Sequence, residues 1–188
     1  MTPARVIHVL QQACGALKEA HDAGLVHRDI KPGNIMLCCV GGEHDVVRVV
    51  DFGLVKDVRS TSPSLTQVGF VCGTPETMAP EVLRGEDVTP AADLYALGVV
   101  GYFLLTRVSV FDAKSANDYI GHHLHTEPPP LRERDASLPA DLEAVLMRCL
   151  RKEPGERYAS AGKLRAELLL CADAGWNEEQ AAAAWVGA

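Results

Sequence analysis

The sequence predicts a mainly α-helical domain carrying one small β-hairpin, and three stretches of it say so. Val6, Leu10, Ala13, Leu17 and Ala20 recur at helical spacing. Leu94 to Leu105 is an almost unbroken apolar run, long enough for a buried helix. Between them lie two short strand-like segments, Asn34–Leu37 and the β-branched run Val46–Val50, separated by the turn-rich stretch Gly41-Gly42-Glu43-His44-Asp45.

The elements follow in order. Thr2 is placed to cap the first helix with Pro3 in its first turn, and Gly24 stops it. After the hairpin, residues 53–79 are rich in Ser, Thr and Gly without periodicity, as in a loop. Asp93 opens the very apolar helix, which would run through the centre of the fold. Ala161 to Cys171 reads as the last helix of the main body, and Asn177-Glu178-Glu179-Gln180 as the capped start of a tail helix ending near Trp185. The expected division is a main domain at 1–170 and a helical tail at 171–188, with Trp176 and Trp185 docking apolar faces onto the body.

At 188 residues and 47% hydrophobic content the chain can bury one substantial core. A net charge of -7 argues against nucleic acid as a partner, because such binding requires clustered cations to neutralise phosphates. The run Leu94–Leu105 is shorter than the ~20 residues a membrane helix needs, and no basic-plus-apolar leader precedes it, so the expected location is cytoplasmic. Six cysteines without Cys-x-x-Cys spacing point to reduced thiols. Cys14, Cys38, Cys39, Cys149 and Cys171 lie in apolar surroundings and are expected in the core, whereas Cys72 sits in the loop. His122, His123 and His125 precede Pro128-Pro129-Pro130 without the partners of a metal site, and read as a solvent-facing helix end.

The chemistry is concentrated in His27-Arg28-Asp29-Ile30-Lys31-Pro32-Gly33-Asn34, then Asp51-Phe52-Gly53, then Gly73-Thr74-Pro75 and Ala79-Pro80-Glu81. Asp29 and Asn34 precede one strand and Asp51 ends its partner, which brings three oxygen-bearing side chains to one edge of the hairpin. Hard divalent cations select such oxygen ligands. In this order the motifs resemble the C-terminal, catalytic lobe of a serine/threonine protein kinase of the bacterial eukaryotic-like type. Aminoglycoside-phosphotransferase-like small-molecule kinases share the base, the asparagine and the second aspartate. They usually lack a lysine two residues after the base, and they lack the Gly-Thr-Pro to Ala-Pro-Glu segment.

The resemblance implies ATP and Mg2+ as cofactors and a protein Ser or Thr as acceptor. It makes Asp29 the group that orients the attacking hydroxyl, Lys31 the ammonium that reaches the γ-phosphate, and Asn34 and Asp51 the magnesium ligands. Met36, with Val100 and Leu104, would form the floor under the adenine, though such residues are also ordinary core. His27 and Phe52 would stack, Gly53 would permit the sharp turn after Asp51, and Arg28 would receive a phosphorylated loop residue. Thr66 is the preferred acceptor in that loop, with Thr61, Ser62 and Ser64 as alternatives. Glu81 and Arg157 would form a buried ion pair, and Asp93 would accept backbone N–H groups near His27 and Arg28. Thr77 departs from the family pattern, which usually has tyrosine before Met78.

The same resemblance places the start of this sequence at the helix preceding the catalytic loop. Only 26 residues precede His27, and they hold no glycine-rich loop and no Val-Ala-Ile-Lys strand. The expectation is a C-lobe with its N-lobe absent, weakly active or inactive as it stands, with a missing N-lobe or sensor domain in a longer protein. The alternative is a kinase-like binding module that performs no chemistry.

Overall fold

The computed structural model describes residues 1–52 and 74–186. Gly53, Thr61, Ser62, Ser64, Thr66, Cys72 and Gly73 lie outside the described residues.

The first helix, α1 (Pro3–Asp22), begins where Thr2 Oγ1 accepts the N–H of Arg5 at 3.4 Å, and the chain leaves it through Gly24 at φ 77°. Val6, Ile7, Leu10, Ala13, Cys14 and Leu17 form its buried face. A 3-10 turn at Pro32–Asn34 leads into β1 (Ile35–Val40), which pairs antiparallel with β2 (Glu43–Val49). The connection is the pair Gly41-Gly42 alone, both at positive φ (62° and 92°), the backbone that a tight two-residue hairpin demands. The five-residue loop expected over Gly41–Asp45 is therefore corrected, because Glu43, His44 and Asp45 belong to β2. In the register Cys38 faces Val46 and Val40 faces Glu43, so β2 takes three steps where β1 takes two. That bulge puts Asp45 at φ 54° and turns its carboxylate into the interior, where it is fully buried.

After a 3-10 turn at Pro75–Thr77 come α2 (Pro80–Leu83) and α3 (Pro90–Thr106). Helix α3 is buried nearly all round, from Ala92 to Tyr102 without a break, and forms the axis of the core. It carries no solvent stripe, which explains why its sequence shows no helical periodicity. Around it sit α4 (Ala116–His125), α5 (Leu131–Arg134), α6 (Ala140–Cys149) and α7 (Ala161–Leu170), followed by α8 (Glu178–Val186). Ser115 and Ser160 cap α4 and α7. Asn177 and Gln180 exchange reciprocal side-chain to backbone bonds at the start of α8, as a capping box requires.

Two corrections concern burial. Cys14, Cys149 and Cys171 are buried as expected, but Cys38 is half-exposed and Cys39 exposed, because only one face of the hairpin meets the core. The tryptophans do more than cover apolar surface. Trp176 and Trp185 each donate an indole N–H to Asp45, at 3.1 and 2.8 Å. Arg5 grips the same carboxylate with two bonds of 2.9 and 2.7 Å. Burial pushes the Asp45 pKa up, but the bonds from Arg5, Trp185 and Trp176 outweigh it and hold it below its ordinary value.

Glu81 and Arg157 form a bidentate ion pair with both bonds at 2.7 Å and both side chains buried. The guanidinium has five donors, and all five are used: the remaining three reach the carbonyls of Arg151, Ala91 and Lys152. A buried charge saturated in this way is tolerated, whereas one stripped of its partner is not. Glu81→Ala is expected to lower stability by about 3–5 kcal/mol, read as a fall in the urea midpoint at unchanged slope.

Gly98 and Gly101 let α6 approach α3. A β-carbon at Gly98 would lie 2.6 Å from Cβ of Cys149, and one at Gly101 would lie 2.8 Å from Leu146. The first obstacle sits next to the backbone and cannot swing away. Gly98→Ala is therefore expected to destabilise by about 1–3 kcal/mol through overpacking, although alanine in an open helix gains about 1 kcal/mol over glycine. Thermal unfolding of the variant checks the sign.

Candidate active site

Asp93, in the first turn of α3, is 1% exposed and accepts three hydrogen bonds. Its Oδ2 takes the backbone N–H of His27 at 2.8 Å and its Oδ1 that of Arg28 at 2.9 Å, as the sequence led one to expect. The third donor, Nε2 of His21 at 2.8 Å, was not foreseen. His21 ends α1 among polar residues, and nothing in the helical pattern marks it. Arg28 sits at φ 70°, a costly backbone for a side chain of that size, and the two bonds to Asp93 hold it there.

The imidazole of His27 carries the constraint forward. Its Nε2 lies 2.8 Å from the carbonyl of Val50, which can only accept, so Nε2 bears the proton. Nδ1 is then the acceptor for the N–H of Asp29, at 3.3 Å. The N–H of Val50 in turn donates to the carbonyl of Asn34 at 3.0 Å. Val50 is thus fixed on both sides immediately before Asp51, which sits at φ 63° with its side chain exposed. The ring of Phe52 packs on His27 with centroids 4.6 Å apart and planes tilted by 58°.

Around Asp29 the donors converge. Thr74 Oγ1 donates to Oδ1 at 3.2 Å, Lys31 Nζ reaches Oδ2 at 2.5 Å, and Nδ2 of Asn34 approaches Oδ2 at 3.3 Å. Lys31 also touches Thr74 Oγ1 at 3.3 Å. The carboxylate is about one-third exposed, so it is oriented without being sealed off. Such a group can accept a hydrogen bond from an incoming hydroxyl and receive its proton. Two further oxygen donors stand at the ends of the hairpin strands, Asn34 just before β1 and Asp51 just after β2. Asn34 spends its amide N–H on the carbonyl of Asp29 at 2.8 Å, which leaves Oδ1 as its free donor atom, and Asp51 adds an exposed carboxylate. Both are the hard oxygens that magnesium prefers.

The other sequence-derived candidates fall as follows. The side chain of Arg28 is exposed and makes no ion pair among the described residues. Met36 is half exposed at the open end of β1. Val100 is buried within α3 and belongs to the core, so its reading as adenine floor is corrected. The solvent-facing reading of the histidine cluster is corrected for His123, which is 1% exposed. Its Nε2 lies 3.0 Å from the carbonyl of Glu76 and its Nδ1 2.8 Å from the hydroxyl of Tyr95.

Residues 1–169 match the model of the protein kinase domain, and the chain belongs to the protein kinase family. It is 45% identical over 168 residues to the serine/threonine-protein kinase pkn3 of Myxococcus xanthus, covering 87% of this chain and 31% of that protein. It is 38% identical over 169 residues to the serine/threonine-protein kinase PknB of Mycobacterium tuberculosis, covering 90% and 26%. Against the serine/threonine-protein kinase Pkn1 of Myxococcus xanthus the identity is 45% over 161 residues, covering 85% and 23%. The chain therefore spans a third or less of the length of these relatives. No helix among the described residues is long and apolar enough to cross a membrane.

Burial lowers the pKa of His123 from 6.5 to about 4; the neighbouring Lys152 and His122 act in the same direction, and its bond to Glu76 opposes them. The unfolded chain then binds more protons than the folded one between pH 6.5 and 4, so stability falls as the pH drops through that window. The loss amounts to about 3 kcal/mol for this one group. Urea midpoints at pH 7 and pH 4.5 are expected to converge in His123→Gln relative to the unmodified chain.

Proposed function

We propose that this chain is the catalytic lobe of a serine/threonine protein kinase, transferring the γ-phosphoryl group of ATP to a Ser or Thr hydroxyl of a protein. The observation that carries this reading is the Asp29 carboxylate, oriented by Thr74, Lys31 and Asn34 while Asp51 is tethered to the same loop through Val50. Asp29 holds the acceptor hydroxyl in line and takes its proton. Lys31, beside it, stands where it offsets charge on the transferring oxygens, and Thr74 fixes both. Asn34 Oδ1 and Asp51 would hold magnesium, which when bound neutralises the phosphate oxygens. Lysine two residues after the base supports Ser/Thr over Tyr as acceptor, as do the printed names of the relatives.

Asp29, Lys31, Asn34 and Asp51 act on the hydroxyl and the metal, and none of these four holds the nucleotide base. Since phosphoryl transfer depends on positioning, the 188 residues alone are proposed to work slowly. Magnesium-dependent phosphate incorporation into the chain and into a generic basic protein, followed by intact mass, tests this with Asp29→Asn as control. The expected result is slow incorporation that falls by a further factor of about 10²–10⁴ in the variant. Incorporation that survives Asp29→Asn, or none even in a polypeptide as long as the relatives, would sink the reading.

A further inference from the structure

We propose that His123 is a positioning residue for the protein substrate, holding the Pro75–Thr77 turn in register with Asp29. The inference rests on the kinase reading above and concerns how that site receives its acceptor.

Only one tautomer satisfies the contacts. The Glu76 carbonyl at 3.0 Å can only accept, so Nε2 donates to it, and Nδ1 accepts from the Tyr95 hydroxyl at 2.8 Å. Tyr95 lies on α3 two residues after Asp93, and both are buried. The helix that anchors the catalytic loop through Asp93 thereby also anchors the turn through Tyr95 and His123. At its other end the turn is held by Thr74, whose Oγ1 donates to Asp29. The N–H and Oγ1 of Thr77 both reach back to the carbonyl of Thr74, at 3.0 and 3.4 Å, which closes the turn between its two attachment points.

Two further observations bear on how firmly the turn is placed. Beside Asp29 lies a narrow cavity of about 20 Å³, room for about one water, lined by Arg28, Thr74, Thr77 and Met78 together with Ala92 and Asp93 of α3, so the turn that His123 holds adjoins the proposed base and its anchor. The histidine is itself held firmly. The Phe111 ring meets it edge-on at 5.1 Å, and Lys152 donates to the carbonyls of His122 and His123 at 3.2 and 2.9 Å. A rigid donor buried behind this turn fixes its place relative to Asp29, where the acceptor hydroxyl is proposed to sit.

The test compares His123→Phe, which fills the space and removes the donor, with His123→Gln, whose amide can still donate to Glu76. Steady-state transfer to a threonine-containing peptide is measured with both substrates varied. The expected result for His123→Phe is a rise of about tenfold in KM for the peptide with KM for ATP unchanged, largely restored in His123→Gln. A residue that only supported the fold would lower the active fraction, so kcat would fall with both KM values intact, and that outcome overturns the proposal. Should the 188-residue chain show no transfer, the kinase reading is decided by the Asp29→Asn comparison in a polypeptide as long as the relatives. Fluorescence anisotropy with the labelled peptide then decides this one, equal affinity in the chain and in His123→Phe overturning it. Circular dichroism confirms that each variant is folded.

Discussion

The buried carboxylate of Asp93 is the constraint from which the site is built. It binds two successive backbone N–H groups, those of His27 and Arg28, and so imposes a left-handed backbone at Arg28 that no local preference supplies. Each later step depends on that one. With the backbone turned at Arg28, His27 is directed to bridge Asp29 and Val50, and Val50 delivers Asp51 to the edge where Asn34 stands. A second strained residue, Asp51 at φ 63°, follows the second clamp. Strain at both functional positions is held by hydrogen bonds to buried groups, so the site's geometry is inherited from the rigidity of α3.

The saturated guanidinium of Arg157 does for the far side what Asp93 does for the loop. It ties Glu81 and the start of α3 to the segment after α6, reading three carbonyls as well as the carboxylate. Removing such a pair and replacing it with apolar residues can be harmless, whereas removing half of it is not. Its value here is positional. Glu81 follows Ala79-Pro80 directly, so the pair sets where the turn carrying Thr74 begins its approach to Asp29.

Much of this was legible in the sequence, for physical reasons that differ from group to group. Asp29, Lys31, Asn34 and Asp51 must meet within one short loop and one hairpin, so their spacing survives as a readable motif. Helix α1 has one wet face and shows it as a period. Helix α3 has none, and only its apolar length betrays it. Glu81, Asp93 and Arg157 are distant from one another and were placed by resemblance alone. His123 and Asp45 escaped because their roles are made by tertiary contact. Three histidines in a helix end look alike until packing buries one of them against Tyr95 and Phe111. Asp45 reads as a turn residue among Gly, Glu and His. A one-residue bulge turns it inward, and no composition rule predicts which residue of a short strand will occupy a bulge.

The contact at Asp45 gives the tail a place in the same scheme. Arg5 of α1, the bulge of β2, and the two indoles flanking and ending the tail meet on one carboxylate. The adjacent His44 pairs with Glu178 at 2.6 Å and packs its ring against Trp185 at 5.7 Å. Glu178 and the Trp185 edge are partly exposed, so the outer pair adds little on its own. The buried inner cluster is different, because a desolvated carboxylate loses two of its four donors together, and the cover over the Arg5 pair, if the tail departs. The strand so fixed at its first residues is the one that ends at Val49, two residues before Asp51. The hairpin is thus held at its outer end by the tail and at its inner end by the loop that Asp93 anchors, and a two-stranded sheet too small to be stable by itself is kept straight between them.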